Sequence, residues 1–190
     1  MAESLFYWKG EKRMPGLKRG TVRLEPHRAA WEADARETIA ALKRILGETA
    51  IDIQHVGSTA IPAVHAKPII DLAVGVRRLS DLTPRLETLR ENGFVYRGKD
   101  VRGEALLVRG DFEADTRTHH IHVVEWNGAQ WRDYLNFRDY LNAFPERAQA
   151  YDDCKLRLAA RFPNDRKRYT AGKEALIAEL LKEAEAWRAN

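Results

Sequence analysis

Two apolar stretches that flank a short polar turn constrain the fold of this chain more than any other feature. The first runs from Ile51 to Val56, and the second from Pro68 to Val76. The second stretch is apolar at almost every position, which is typical of a strand buried on both faces, yet it contains the acid Asp71. A buried carboxylate needs a cation, a metal or several hydrogen-bond donors, so the sequence predicts a partner for Asp71.

The segment between these stretches begins with Gly57, Ser58 and Thr59. A glycine lets the backbone turn tightly and approach a ligand, while Ser58 and Thr59 can cap a following helix, whose unpaired N–H groups suit an anion. Two interpretations stay open at this level. Either Ser58 is a simple helix cap and Asp71 pairs with Lys67 or an arginine, or the segment forms a phosphate and metal site.

Four of the six histidines lie on predicted strands, namely His55, His119, His120 and His122. Side chains alternate along a strand, so His120 and His122 share one face while His119 and Glu125 share the other. If the first face meets Asp71 and His55 on neighbouring strands, the cluster has a composition that holds zinc or manganese with open positions. The alternative is that these histidines are bonded to backbone or carboxylate groups within the sheet.

Three basic residues elsewhere in the chain are candidates for binding phosphate charge: Lys67, Arg138 and Lys173. Lys67 lies just ahead of the second apolar stretch, where the alternative is an exposed turn lysine. His27 and His65 lie on predicted surface turns and receive no role.

The remaining pattern predicts a single domain over residues 20–190, preceded by a flexible arm over residues 1–19. An early α/β part and a helical C-terminal third favour a mixed sheet covered by helices, with the helices after Gly128 packed on the sheet. No apolar run reaches the roughly 18 residues of a membrane span, and the N-terminus lacks the apolar core of a secretory signal. With the single cysteine Cys154 and a net charge of +4, we expect a cytoplasmic protein without a membrane or nucleic-acid partner.

The segments QHVGSTAIPAVHAKPIIDLAVGV, RTHHIHVVE and FRDYL resemble the GrpB-like family. The resemblance runs from about Val22 to Leu181. It implies an α+β, nucleotidyltransferase-like fold, with a mixed β-sheet, flanking helices and a helical C-terminal third. The family is often named as an accessory domain of dephospho-CoA kinase. That name supplies no catalytic residue here, because the chain contains no GxxxxGK[ST] motif.

The resemblance also implies roles for residues of the central segment. Gly57 and Ser58 match the Gly-Ser element of the nucleotidyltransferase superfamily, and Asp71 matches the first of its two strand acids. Ala73 stands where the second acid is expected. Two acids normally bridge two magnesium ions, so the resemblance implies the fold more directly than the two-metal arrangement.

The third acid of the superfamily lies on a later strand, where Glu125, or the pair His120 and His122, is the local substitute. We therefore expect a protein that binds ATP, another nucleotide or a phosphorylated small molecule, together with a divalent metal (magnesium, manganese or zinc). Asp71 and Glu125 are the expected catalytic residues, and a nucleotidyl or other activated group passes to a small acceptor. The alternative is a non-catalytic accessory module that kept the fold and lost metal-dependent catalysis.

Overall fold

The computed structural model describes residues 7–8, 11–12, 16–100 and 103–189. The strands are β1 (Tyr7–Trp8), β2 (Glu11–Lys12), β3 (Leu17–Lys18), β4 (Ala50–Val56), β5 (Ile70–Val76), β6 (Val95–Lys99), β7 (Ala105–Arg109), β8 (Thr116–Arg117) and β9 (His119–Glu125). The helices are α1 (Ala29–Leu46), α2 (Leu86–Glu91), α3 (Ala129–Ala143), α4 (Pro145–Arg161), α5 (Arg166–Ala171) and α6 (Glu174–Ala189). Short 3₁₀ segments cover Gly47–Thr49, Ser58–Ala60 and Leu79–Arg85.

The main sheet has five strands in the order β4-β5-β9-β7-β6. The β5–β9 pair is parallel, and the other neighbouring pairs are antiparallel. The apolar residues of β5 and β9 are buried on both faces of the sheet, as the continuous apolar pattern of β5 predicted. The prediction of an α+β fold with a mixed sheet is confirmed.

One face of the sheet is covered by α1. Its apolar residues recur every three or four positions, so a single stripe that includes Trp31 and Leu42 is buried. This stripe packs in the main core against Leu72 and Val74 of β5 and Ile121 of β9. Paired residues on neighbouring strands share a face, so the side chains of these strands that point toward α1 lie in this core.

The opposite face of the sheet carries the C-terminal helices. Trp131 of α3 packs against Val56, Ala73 and Val124, which come from three neighbouring strands. Helices α3, α4 and α6 form a further core around Tyr140, together with Ile61 and Val64 of the segment that follows β4. The prediction that the helical C-terminal third packs on the sheet is confirmed.

Part of the predicted arm is packed on the domain. Strand β3 pairs with β8 and buries Leu17, so residues 16–19 are held against the fold. Apart from β1 and β2, which pair with each other, residues 1–15 lie outside the described residues. Among the described residues, the helices are all too short or too polar to cross a membrane.

Candidate metal and phosphate site

Asp71 of β5 and two histidines of β9 form a compact cluster on the C-terminal-helix face of the sheet. The parallel register places Asp71 beside His120 and Ala73 beside His122, so their side chains share this face. His120 Nδ1 lies 3.2 Å from Asp71 Oδ1, and His122 Nε2 lies 3.5 Å from the same oxygen. One ligand atom from each of the three residues lies within 4.8 Å of the other two. His120 and His122 therefore share a face, as the alternation along the strand predicted, and Asp71 lies on the same face.

The protonation of this cluster differs between its two histidines. Burial raises the pKa of Asp71, but the hydrogen bonds from His120 and His122 outweigh burial and hold the pKa far below its usual range. Burial lowers the pKa of His120, which favours a neutral ring. For His122, burial is outweighed by the hydrogen bonds to Asp71 and Glu104, which raise the pKa to about 9. In the metal-free protein two carboxylates therefore surround one imidazolium, and a cation that binds His122 Nε2 would displace the proton from that nitrogen.

Glu104 and Tyr134 fix the orientation of His122. Glu104 lies directly before β7, and its Oε1 is 2.5 Å from His122 Nδ1. The hydroxyl of Tyr134, from α3, donates to the other oxygen of Glu104 at 2.6 Å. Metal-binding histidines usually have such a carboxylate on the second ring nitrogen, which leaves Nε2 of His122 aimed at Asp71. One carboxylate and two imidazoles match a single manganese or zinc ion better than a pair of magnesium ions.

Gly57 makes room for Asp71 at the end of β4. Its backbone has φ 69° and ψ −172°, a region essentially confined to glycine. A Cβ at this position would lie 2.7 Å from Asp71 Oδ2 and 3.0 Å from Asp71 Cβ. The close approach of backbone and carboxylate is the reason for a glycine before Ser58.

We expect Gly57→Ala to lower the free energy of unfolding by about 1–3 kcal/mol, because it adds backbone strain and pushes on the Asp71 carboxylate. Urea denaturation measures the loss. Gly93→Ala is the matched control, since Gly93 also has a positive φ, of 83°, but open space around the added Cβ. Equal losses in both variants would contradict a specific contact between position 57 and Asp71.

A cavity of about 140 Å³ adjoins the cluster, next to Asp71 and His120. Ser58 is one of its lining residues, and the other polar lining residues come from the segment before β5, from α4 and α5, and from the turn between α5 and α6: Lys67, Tyr151, Lys155, Tyr169 and Lys173. The Nζ atoms of Lys67 and Lys173 lie 5.6 and 4.7 Å from the centre of the Tyr169 ring. Three lysines and a hydroxyl around a small cavity are typical of a site for phosphate groups.

The cavity lysines lose part of their proton affinity through burial. Burial, followed by the charges of Arg166 and Lys173, lowers the pKa of Lys67 to about 7. Burial also lowers the pKa of Lys155 to about 8, against the opposing charge of Asp152. The pKa of Lys173 is lowered by burial as well. Near neutral pH these lysines are therefore partly deprotonated, and an anion that enters the cavity would favour their ammonium forms.

Lys155 is held at the cavity by a buried polar network. Its ammonium group donates to the backbone oxygen of His65 and lies 3.5 Å from both Ser58 Oγ and Asp152 Oδ1. Asp152 accepts from the backbone N–H of His65 at 2.7 Å, and its other oxygen lies 2.7 Å from His65 Nδ1. His65, which was expected on a surface turn without a role, thus ties the cavity wall to α4.

The structure brings some of the predicted phosphate ligands together and places others elsewhere. Gly57, Ser58, Thr59, Lys67 and Lys173 line the cavity. The buried Thr59 hydroxyl lies 2.9 Å from His55 Nε2. Arg138 instead holds α3 against β4, because its guanidinium donates to the His55 carbonyl at 2.9 Å and the Gln54 side chain at 3.0 Å. Arg138 is not among the described residues that line this cavity.

Two further expectations are corrected by strand register. In the antiparallel β4–β5 pair, Val56 lies opposite Asp71 and His55 lies opposite Leu72, so His55 faces the α1 side of the sheet. Burial lowers its pKa to about 4. Glu125 lies opposite Val76 and also belongs to the α1 face. Neither His55 as a metal ligand nor Glu125 as a catalytic acid reaches the cluster.

Sequence reasoning missed the residues that come from distant segments. Glu104 follows a turn-rich loop. Tyr134, Tyr151 and Lys155 lie in helices whose sequence pattern does not distinguish site residues from ordinary helical ones. The available signal was the strand pattern of residues 105–108, because pairing of this strand with β9 brings the preceding Glu104 beside His122. Asp152 and Lys155, three residues apart on α4, were also consistent with a simple surface pair.

The fold and the cluster define an α+β protein with one aspartate and two histidines on the C-terminal-helix face of a mixed sheet. A family model described as GrpB protein matches residues 21–183. Glutamate-rich protein GrpB of Alkalihalophilus pseudofirmus is 39% identical over 173 residues, 90% of this chain and 99% of that protein. The crystal structure of conserved protein GrpB from Enterococcus faecalis matches 88% of this chain and 100% of that chain, with 31% identity and a TM-score of 0.82. The chain belongs to the GrpB family.

Longer proteins also contain this domain. A dephospho-CoA kinase of Mycolicibacterium paratuberculosis is 29% identical over 196 residues, 90% of this chain but 48% of that protein. Among more remote solved structures is the Cid1 poly(U) polymerase, with 14% identity and a TM-score of 0.49 over 73% of this chain and 43% of that chain. Similarities of this extent give no basis for assigning the activity of either protein to this chain.

Proposed function

We propose that this protein binds a nucleotide or phosphorylated small molecule together with one divalent cation, and transfers a nucleotidyl or other activated group to a small acceptor. One observation carries the proposal. Asp71 and His120, which can hold a cation, line the same cavity as Lys67, Lys155 and Lys173, which can hold phosphates. A phosphate chain bound by these lysines would have its reacting phosphorus beside the cation.

The proposed cation site consists of Asp71, His120 and His122. A divalent cation supplies Lewis-acid polarisation of a phosphoryl oxygen. Asp71 contributes the negative charge, and Glu104 keeps His122 in the orientation that points Nε2 to Asp71. Because imidazole is a better ligand for manganese and zinc than for magnesium, we expect the first two to bind more tightly.

The phosphate groups would be bound by the cavity lysines and the Ser58 hydroxyl. In a nucleotidyl transfer, an acceptor oxygen bonds to the α-phosphorus, the bond to pyrophosphate breaks, and the acceptor proton passes to a base or to water. Lys67, Lys155 and Lys173 would bind the pyrophosphate and stabilise its charge as it leaves. The aromatic rings of Tyr151 and Tyr169 shield these ammonium groups from water, which strengthens their attraction for phosphate.

We expect ATP with manganese to bind the wild-type protein, and the double variant Lys67→Gln/Lys173→Gln to bind it roughly tenfold or more weakly, because two charge-assisted contacts are lost. Isothermal titration at pH 7 measures both affinities. The matched control is Lys43→Gln/Lys182→Gln, which removes the same charge from two exposed lysines outside the cavity. Equal affinity in all three proteins would overturn the proposed phosphate site.

The same titration has an expected pH dependence. The free protein loses protons from Lys67 at about pH 7 and from Lys155 at about pH 8, whereas a bound phosphate favours both ammonium forms. ATP binding should therefore take up protons above pH 7, and the affinity should fall as the pH rises from about 7 to 9. Titrations of ATP into protein already saturated with manganese, in buffers of different ionisation enthalpy, report this uptake separately from the proton that His122 loses to the metal. Proton release over this range would contradict the assignment.

A non-catalytic binding module is the second candidate, and Ala73 is the observation that favours it. Ala73 occupies the place of the second acid and is fully buried beside Trp131, so the two-acid arrangement is absent. A slow, manganese-dependent conversion of ATP to AMP and pyrophosphate, with water as acceptor, distinguishes the two candidates. The transferase proposal predicts this background reaction and its loss in Asp71→Asn. ATP binding without any conversion favours the module.

A further inference from the structure

A second cleft, of about 370 Å³, lies on the same face of the sheet, on the other side of His120. Its floor is formed by His120 and His122 of β9 and by Leu106 and Val108 of β7. Because β9 lies between β5 and β7, the two histidines separate this cleft from the lysine-lined cavity. The cleft is lined by guanidinium groups from four separate segments: Arg19, Arg97, Arg117 and Arg166. We refer to it as the arginine cleft.

Two of these arginines share one carboxylate. Asp115 Oδ2 lies 3.3 Å from Arg19 Nε, and Asp115 Oδ1 lies 3.4 Å from an Arg117 guanidinium nitrogen. Arg117 also donates to the Thr116 carbonyl at 2.8 Å and stacks 4.7 Å from the centre of the Phe112 ring. Its side chain is only 9% exposed, so this charge is held in a fixed position at the cleft wall.

The other two arginines have no ion pair with the described parts of the chain. Arg97, on β6, is exposed, and Arg166, at the start of α5, is partly buried. With Asp115 as the carboxylate bound to Arg19 and Arg117, the cleft keeps a clear excess of positive charge. Like charges held close together repel each other, and an anionic ligand relieves that repulsion.

We propose that the arginine cleft binds the phosphate group of a small molecule whose apolar part lies on Leu106 and Val108, and that this molecule is the acceptor. Guanidinium groups bind phosphate through paired, parallel hydrogen bonds. The volume matches a small-molecule site. The acceptor role rests on the proposed function, because transfer requires a second substrate beside the cation, and the cleft reaches His120 and His122 from the side opposite the lysines. Phosphate binding itself does not depend on that role.

The residues that form the floor of the cleft favour a small molecule over a nucleic-acid strand. Single-stranded nucleic acids bind along extended basic grooves in which aromatic rings stack on successive bases. Here the floor is formed by the aliphatic residues Leu106 and Val108 and two histidines that are engaged with Asp71 and Glu104. A ligand with one anionic end and a compact apolar body fits this combination.

The test uses phenyl phosphate, which has both features, titrated calorimetrically into the full chain in buffer with a metal chelator. We expect binding by the wild type and a loss of roughly tenfold or more in Arg97→Gln/Arg166→Gln, since both free guanidinium groups are removed. Arg44→Gln/Arg77→Gln, which removes the same charge outside both cavities, should stay within about twofold. Arg97→Gln alone provides a milder variant if the double variant has a lowered melting temperature.

Three further measurements distinguish phosphate binding in the arginine cleft from binding in the lysine-lined cavity and from nucleic-acid binding. Phenyl phosphate binding that survives in Asp71→Asn supports the cleft independently of the cation site, even if ATP and manganese fail to bind. A loss in Lys67→Gln/Lys173→Gln with no loss in the arginine variant overturns the proposal, because the anion then occupies the lysine cavity. Tighter binding of an oligouridine than of phenyl phosphate, abolished in the arginine variant, also overturns it in favour of a nucleic-acid site.

Discussion

Replacing Asp71 with asparagine is expected to weaken manganese and zinc binding by roughly a hundredfold or more. Asparagine keeps the shape of the side chain but removes the charge that attracts the cation. Loss of a residue that only orients a metal ligand already costs about 10–100-fold in metal affinity, so loss of the charged ligand itself should cost at least as much. Isothermal titration with each metal measures the change.

A graded series makes this prediction sharper. Glu104→Gln should show the smaller, roughly 10–100-fold loss, because Glu104 contacts His122 and not the cation. Asp153→Asn is the charge-matched control, since Asp153 is an exposed neighbour of the buried network and bonds to Gln149. Unchanged metal affinity in Asp71→Asn would remove the anchor of the proposed site.

The second large effect concerns the buried network behind the cavity. Asp152→Ala should lower the free energy of unfolding by about 3–5 kcal/mol, because it leaves the ammonium group of Lys155, 1% exposed, without its carboxylate. His65 would lose both of its hydrogen bonds to the same side chain. Urea denaturation at pH 7 measures the loss.

Two variants test the cause of that loss. Asp153→Ala, one residue further along α4, should change the free energy of unfolding by only about 0.5 kcal/mol. The double variant Asp152→Ala/Lys155→Met should recover most of the stability, since the unpaired buried charge is then absent. A loss of less than about 1 kcal/mol in Asp152→Ala would show that Lys155 is not a buried charge that depends on this partner.

Local sequence patterns were enough to predict the central strands and their shared chemistry. The apolar runs of β4, β5 and β9 are properties of consecutive residues, and so is the alternation that places His120 and His122 on one face. The prediction that Asp71 needs a partner also follows from its apolar neighbours alone. In the structure, this partner is the histidine pair, with Lys67 at the adjoining cavity.

The register in which distant strands pair could not be predicted from these local patterns. Whether Val56 or His55 lies opposite Asp71 depends on how β4 pairs with β5, and a shift of one residue reverses the face of every side chain. Glu125 is different, because alternation alone already places it with His119 and away from His120. Glu104, Tyr134 and Lys155 reach the site only through pairing of β7 with β9 and packing of α3 and α4, for which short sequence windows carry no signal.

The central claim is that Asp71, His120 and His122 bind one divalent cation beside the phosphate cavity. Anomalous diffraction from crystals grown separately with manganese and with zinc, each with ATP, tests this most directly. We expect one anomalous peak among the three side chains, in contact with a phosphate oxygen, and no peak at this place in crystals of Asp71→Asn. ATP bound in the cavity with no peak there, or a peak held by other residues, would contradict the account.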